Sequence, residues 1–165
     1  MRKFGQKLSS LFVIRIITIL VLKAIRFCDR VISNLKFKAL IPNSGNSICH
    51  FTTEIKYGEN IEIGNNTKIG KYCSLGAKSS IKIGNYVTLS RGVIVETAAL
   101  DLKGDRPYKH YSKPIVIEDG VWLATNVVVL AGVTIKKNAL VGAGAVITKD
   151  VDEGEIIVGA RNRIL

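Results

Sequence analysis

From Ile117 onward every sixth residue is aliphatic: Ile117, Leu123, Val129, Ile135, Val141 and Ile147. Four residues after each stands a small or branched apolar residue: Val121, Val127, Val133, Ala139, Ala145 and Val151. The upstream half keeps the same spacing over Ile63, Ile69, Leu75 and Ile81, with Thr67, Cys73 and Ser79 in the small position. Its frame then slips by two residues, to Ile83, Leu89 and Val95. Cys49, Ile55 and Ile61 extend the pattern backward. An amphipathic helix repeats about every 3.6 residues and a half-buried strand every second residue, so a strict period of six fits neither.

The period predicts short parallel strands wound into a prism. Six residues make one flat side and one corner. The aliphatic residue points inward and stacks on its equivalent eighteen residues away, while the small residue fits the crowded corner. Gly64, Gly70, Gly76 and Gly84, each directly after an aliphatic position, are expected to permit the bend. A single coil cannot bury its own face, so coils must stack into a solenoid. Residues 49–97 and 115–151 leave room for about five coils.

The period stops at Thr97 and resumes near Ile115. The excursion 98–114 is a long loop thrown out of a regular solenoid, a feature that is often functional. It carries His110, one of two histidines in the chain. After Val151 the charged run Asp152-Glu153-Gly154-Glu155 is expected to cap the end of the stack, ahead of a short apolar strand at Ile156–Val158.

Ahead of the repeats the pattern is different. Leu11 to Leu22 is apolar apart from Arg15 and Thr18. A spanning helix needs about 20 apolar residues, and Lys7, Arg15 and Lys23 divide this stretch into shorter runs. A signal peptide would show a small-residue cleavage site after the apolar run, but Lys23, Arg26 and Arg30 follow instead. Arg15, Arg26 and Arg30 fall near one face of a helix. Residues 1–40 therefore read as a basic, apolar, amphipathic helical segment ahead of a repeat domain over 41–165. Residues 1–38 either lie on an anionic membrane surface or pack on the body or a partner subunit.

Composition sharpens this division. The 165 residues carry 24 Lys plus Arg against 13 Asp plus Glu, a net charge of +11. Residues 1–38 hold +8 of it and residues 39–165 only +3. A nucleic-acid binder is disfavoured, because the body is nearly neutral and aromatics for stacking make up only 7 % of the chain. Cys28, Cys49 and Cys73 lack the spacing of a disulfide scaffold or a zinc site. A reducing, cytoplasmic compartment fits them, with the inner membrane face as a peripheral location. Two separated histidines cannot supply a three-histidine metal site, so no metal is expected.

The six-residue pattern resembles the hexapeptide-repeat family, which implies an all-β fold: a left-handed parallel β-helix, here with an N-terminal helix and a protruding loop. Three stretches are similar to the maltose, galactoside and polysaccharide O-acetyltransferase branch: Lys113–Ala124, Gly132–Ile135 and Val141–Val151. The resemblance implies an acetyl-coenzyme A-dependent acetyltransferase acting on a sugar hydroxyl, in surface polysaccharide or lipid-linked glycan assembly. It also implies a homotrimer with the coenzyme in a groove between neighbouring prisms and a carbohydrate acceptor. Two other readings stay open: a non-catalytic scaffold subunit, and an N-acetyltransferase on an amino sugar.

Acetyl transfer to a hydroxyl needs a base that takes the proton. Histidine suits the task because it titrates near neutrality, and His110 is the candidate. Glu96 or Asp101 would orient its ring. Many relatives place the histidine earlier in the loop, just before an Asp; here that stretch reads Ala98-Ala99-Leu100-Asp101. A subset has a loop like Tyr108–Pro114, with the histidine near the strand entry. His50 reads as structural. By position in the family, the coenzyme contacts fall on Thr125, Ala143, Thr148 and Lys149, with Arg163 at the phosphates. Trp122 is a packing residue or an adenine shelf. The relatives' terminal Gly-x-Pro-Ala-Lys/Arg run is replaced by Gly159-Ala160-Arg161-Asn162-Arg163.

Overall fold

A computed structural model describes residues 2–159, with side chains from residue 12. Helix α1 covers Arg2–Leu40, and every other strand or turn follows it. The chain divides into two compact units, Met1–Ile32 and Ser33–Leu165. The described part of the first is helix alone. The second begins inside the helix, because the stretch from Ser33 closes the open end of the solenoid. There Phe37 and Ile41 are buried. Ser33 Oγ accepts the Phe51 N–H at 3.0 Å, and Lys36 Nζ donates to the carbonyls of Phe51 and Thr53 at 2.8 Å.

The solenoid runs in coils of three strands. The first coil is β1 (Ile48–Cys49), β2 (Glu54–Lys56) and β3 (Ile61–Ile63). The second is β4 (Lys68–Ile69), β5 (Ser74–Gly76) and β6 (Ile81–Ile83). The third starts with β7 (Thr88–Leu89) and β8 (Ile94–Glu96), is interrupted by β9 (Ala98–Leu100) and β10 (His110–Ser112), and closes with β11 (Ile115–Ile117). The fourth is β12 (Trp122–Leu123), β13 (Val128–Val129) and β14 (Thr134–Ile135). The fifth has β15 (Leu140–Val141) and β16 (Val146–Ile147), completed by the bridge of Val151 to Ile135. Strand β17 (Ile156–Ile157) opens a sixth.

Stacking these coils makes three parallel faces. The first holds β1, β4, β7, β12, β15 and β17; the second β2, β5, β8, β13 and β16; the third β3, β6, β11 and β14. The aliphatic residues of the period point inside: Ile69, Leu75, Ile83, Leu89, Val95, Ile117, Leu123, Val129, Ile135, Val141 and Ile147 are all buried, and Ile55 in the first coil partly so. The small positions Val121, Val127, Val133, Ala139, Ala145 and Val151 are buried too.

Two details depart from the expectation. The stacking distance is eighteen residues only in the later coils, where Leu123 pairs with Val141. In the earlier coils it is twenty, as in Ile69 with Leu89. The extra pair of residues lies on the third face, where Ile61 and Ile63, or Ile81 and Ile83, both point inward. Alternate residues of a strand share a side, so lengthening the strand by two keeps both aliphatics in the core. What reads in sequence as a slipped frame is one longer side of each early coil.

The second departure concerns glycine. The bend is made three residues after the inward aliphatic, where Asn66, Tyr72, Tyr86, Gly92, Gly120, Asn126, Gly132, Asn138 and Gly144 have positive φ. Gly64 and Gly84 serve close stacking instead. A Cβ on Gly84 would strike Asp119 Oδ1 and lie 2.8 Å from the Asp119 nitrogen. On Gly64 it would lie 2.8 Å from the Gly84 carbonyl carbon.

Candidate active site

The excursion is a two-stranded hairpin rather than an irregular loop. Strands β9 and β10 pair antiparallel, with His110 opposite Leu100, Tyr111 opposite Ala99 and Ser112 opposite Ala98. It leaves the solenoid at the edge between the second and third faces, the side on which the early coils carry their extra residues. Its base is fixed by two bonds. The Lys113 N–H donates to the Thr97 carbonyl at 3.0 Å. Ser79 Oγ, one coil earlier, donates to Ser112 Oγ at 2.7 Å. These bonds hold the end of β10, two residues after His110, against a rigid coil.

His110 is exposed on that hairpin. The two candidate orienting carboxylates are occupied elsewhere. Glu96 Oε1 accepts the Ala98 N–H at 3.0 Å, and Asp101 Oδ1 accepts the Lys103 N–H at 3.1 Å. Among the described residues no carboxylate forms an ion pair with the imidazole. His50 lies outside this region, near the first coil. Its Nδ1 is 2.9 Å from Thr52 Oγ1 and accepts the Thr52 N–H at 3.2 Å.

The positions carried over for the coenzyme gather on two edges of one face. Thr125 and Ala143 occupy equivalent corners of the fourth and fifth coils, bridged by the Gly144 N–H to Thr125 carbonyl bond at 2.9 Å. Thr148 and Lys149 follow β16, on the edge from which the hairpin emerges. All four are exposed. Trp122 stands half-exposed beside the Thr125 edge, its Nε1 donating to Ser90 Oγ at 3.1 Å. Arg163 lies outside the described residues. The second face lies between the two groups, so one copy does not bring His110 together with Thr125, Ala143 and Trp122.

Two further features limit the chemistry. Burial pushes the Cys49 thiol up to about 11 and raises that of Cys73 as well. Neither is therefore a nucleophilic thiolate near neutrality. A groove of about 620 Å³ runs along the third face past Glu62, Lys82, Glu118, Asp119 and Lys137. It contains none of the residues expected at the acetyl-transfer site. Sequence reading missed Ser79, Ser90 and Ser112, which position the hairpin and the indole. Their partners lie 33 and 32 residues away in the chain, and no local pattern marks such a pair.

The bacterial transferase hexapeptide family (six repeats) matches residues 114–149. The crystal structure of a hexapeptide-repeat acetyltransferase from Vibrio cholerae superposes with a TM-score of 0.74 at 30 % identity, covering 83 % of this chain and 80 % of that one. The chain belongs to the hexapeptide-repeat transferase family. A second Vibrio cholerae structure of a hexapeptide-repeat acetyltransferase, complexed with acetyl-coenzyme A, matches at 29 % identity and a TM-score of 0.70, over 74 % of this chain and 69 % of that one. The galactoside O-acetyltransferase of Lactococcus lactis is 33 % identical over 104 residues, which is 62 % of this chain and 50 % of that protein. This hexapeptide-repeat chain spans about half the length of the curated relatives it matches, 51 % and 50 % for the first two.

Proposed function

We propose that this chain transfers the acetyl group of acetyl-coenzyme A to a hydroxyl of a carbohydrate, with His110 as general base. The observation that carries the reading is the fixed hairpin: it holds an exposed histidine at one solenoid edge of a hexapeptide-repeat chain, two coils from Thr148 and Lys149. In the reaction, the imidazole takes the hydroxyl proton as the oxygen attacks the thioester carbonyl. The carbon–sulfur bond then breaks, and the imidazolium returns the proton to the departing thiolate. The acceptor oxygen leaves as an acetyl ester and coenzyme A as a free thiol.

The site is completed by a second copy in this reading. A homotrimer sets the hairpin edge of one solenoid beside the Thr125 and Ala143 edge of the next, with the coenzyme between them. Trp122 then shelves the adenine, and Lys149 and Arg163 meet the phosphates. Three unpaired cysteines support a reducing compartment, the cytoplasm. There the acceptor would be a surface polysaccharide precursor or lipid-linked glycan.

The test is release of free coenzyme A thiol with galactoside, maltose and amino-sugar acceptors. His110→Ala should lower turnover by roughly 10²–10⁴-fold while the sedimentation mass stays that of the parent. Unchanged turnover in the variant would remove His110 from the mechanism. A product stable to hydroxylamine would assign N- rather than O-transfer. One observation favours a second reading, a non-catalytic scaffold: neither Glu96 nor Asp101 is paired with the His110 ring. Failure of calorimetry to detect coenzyme A at millimolar concentration would support that reading.

A further inference from the structure

We infer that residues 12–32 of the helix form a docking surface for an anionic lipid bilayer, lying along its interface. The inference does not rest on the acetyl-transfer reading. Thirteen large apolar side chains between Phe12 and Ile32 are each at least 41 % exposed, among them Leu20 at 58 % and Phe27 at 67 %. So many exposed apolar side chains on one stretch of helix go far beyond the scattered apolar residues of an ordinary protein exterior.

The arrangement of charge indicates what covers it. At about 100° per residue, Val13, Ile14, Ile17, Leu20, Val21, Ile25, Phe27, Val31 and Ile32 share one broad side of the helix. Arg15, Lys23, Arg26 and Arg30 fall together on the other, where Phe12, Ile16, Ile19 and Leu22 are interspersed with them. Asp29 is the one acid among these residues. A wide apolar face bordered by cations matches the boundary between acyl chains and anionic headgroups, with the long basic side chains reaching out to the phosphates.

The same geometry argues against two other occupants. A second copy of the helix would cover a narrow seam, about two positions in seven. Val13, Ile17, Leu20, Phe27 and Val31 fit such a seam, yet Ile14, Val21, Ile25 and Ile32 on the same broad side would remain outside it in water, each at least 50 % exposed here. A spanning arrangement is also disfavoured: among the described residues no helix is long and apolar enough to cross a membrane. Arg15 would sit in the hydrocarbon, where a charge is costly.

The test is flotation of the full chain with vesicles of phosphatidylcholine alone and with about a third phosphatidylglycerol. The expected result is binding to the anionic vesicles, weakened by salt, and weak binding to the neutral ones. The triple variant Lys23→Glu, Arg26→Glu, Arg30→Glu should bind roughly tenfold or more weakly. Ile17→Ser with Ile25→Ser and Ile32→Ser should abolish binding. Trp122 emission, unchanged in both, would report an intact solenoid. Equal binding to the two vesicle types, or undiminished binding by the charge-reversed chain, overturns the inference. So does an absence of vesicle binding accompanied by a fall in sedimentation mass in the serine variant, which would assign the face to a second copy. None of these readouts is acetyl transfer, so this inference and the catalytic reading fail separately.

Discussion

Asp119 Oδ1 accepts the backbone N–H of Asn85 at 2.7 Å and its side-chain Nδ2–H at 3.2 Å, one coil apart on the same edge. The contact continues a ladder. Asn85 Oδ1 accepts the Asn65 N–H at 2.8 Å, and Asn65 Oδ1 accepts the Asn46 N–H at 3.2 Å. Each corner thus hands a side-chain oxygen to the backbone of the coil before it.

Asp119 is the rung that titrates. The backbone and side-chain N–H groups of Asn85, with a smaller effect of Lys137, hold its carboxyl below the ordinary carboxylate range. A folded pKa below the unfolded one contributes stability that is present above the unfolded value and lost as pH falls through the folded value. Asp119→Asn keeps the acceptor oxygen, as Asn65 and Asn85 do, but removes the charge. The variant should therefore lose less stability than the parent as pH drops through the acid range. Thermal midpoints measured across that range check this; curves that stay parallel would assign the acid sensitivity to other groups.

Gly84 and Gly144 separate two uses of glycine. At Gly84 a Cβ meets the Asp119 backbone nitrogen at 2.8 Å, whereas at Gly144, with φ +69, it meets nothing within 4 Å among the described residues. Gly84→Ala should cost about 1–3 kcal/mol by forcing two coils apart. Gly144→Ala should cost about 1 kcal/mol through backbone strain alone, and Gly144→Asn less, since Asn126 and Asn138 already adopt that conformation. Urea titration of the three variants gives the comparison.

Ser79 and Ser112 join the hairpin to the coil beneath it at 2.7 Å. Ser79→Ala should lower global stability by about 1 kcal/mol or less. On the proposed reaction it should also reduce kcat more than it raises the coenzyme KM, because it loosens the strand that carries His110. Ser79→Thr, which restores the hydroxyl, should recover much of kcat. Steady-state kinetics on the pair distinguishes a positioning role from a purely structural one, which would leave kcat unchanged.

Trp122 is the single tryptophan of the chain. Its half-exposed indole is tethered to Ser90 at 3.1 Å. If it shelves the coenzyme, titration with coenzyme A should shift or quench its emission. Trp122→Phe should raise the coenzyme KM while leaving kcat nearly unchanged. A titration without any emission change would make Trp122 a packing residue.

The order of the solenoid was legible because its core is written at fixed spacing. Ile117 through Ile147 are buried at every sixth position, and burial of one residue per side is what a stacked prism requires. The stretch 98–114 was legible as an excursion for the same reason, since it breaks the spacing. Its pairing into β9 and β10 was not, because Ala98 and Ser112 meet across the long connection 101–109, which carries no strand pattern of its own. The role of Gly64 and Gly84 was misread for a related cause: a glycine required by the coil above looks, in sequence, like a glycine required by its own corner.

The amino-acid sequence alone determined the period, the inward residues, the segregation of positive charge into residues 1–38 and the place of His110 on the stretch that breaks the period. Each is a property of residue type at local spacing. Only the tertiary structure decided that the helix from Ser33 onward closes the first coil, that the slipped frame is a longer third face, and that Glu96 and Asp101 bond away from His110. Those outcomes depend on which groups meet across many residues of chain. Such meetings are settled by packing and hydrogen-bond satisfaction in three dimensions, which a linear pattern does not encode.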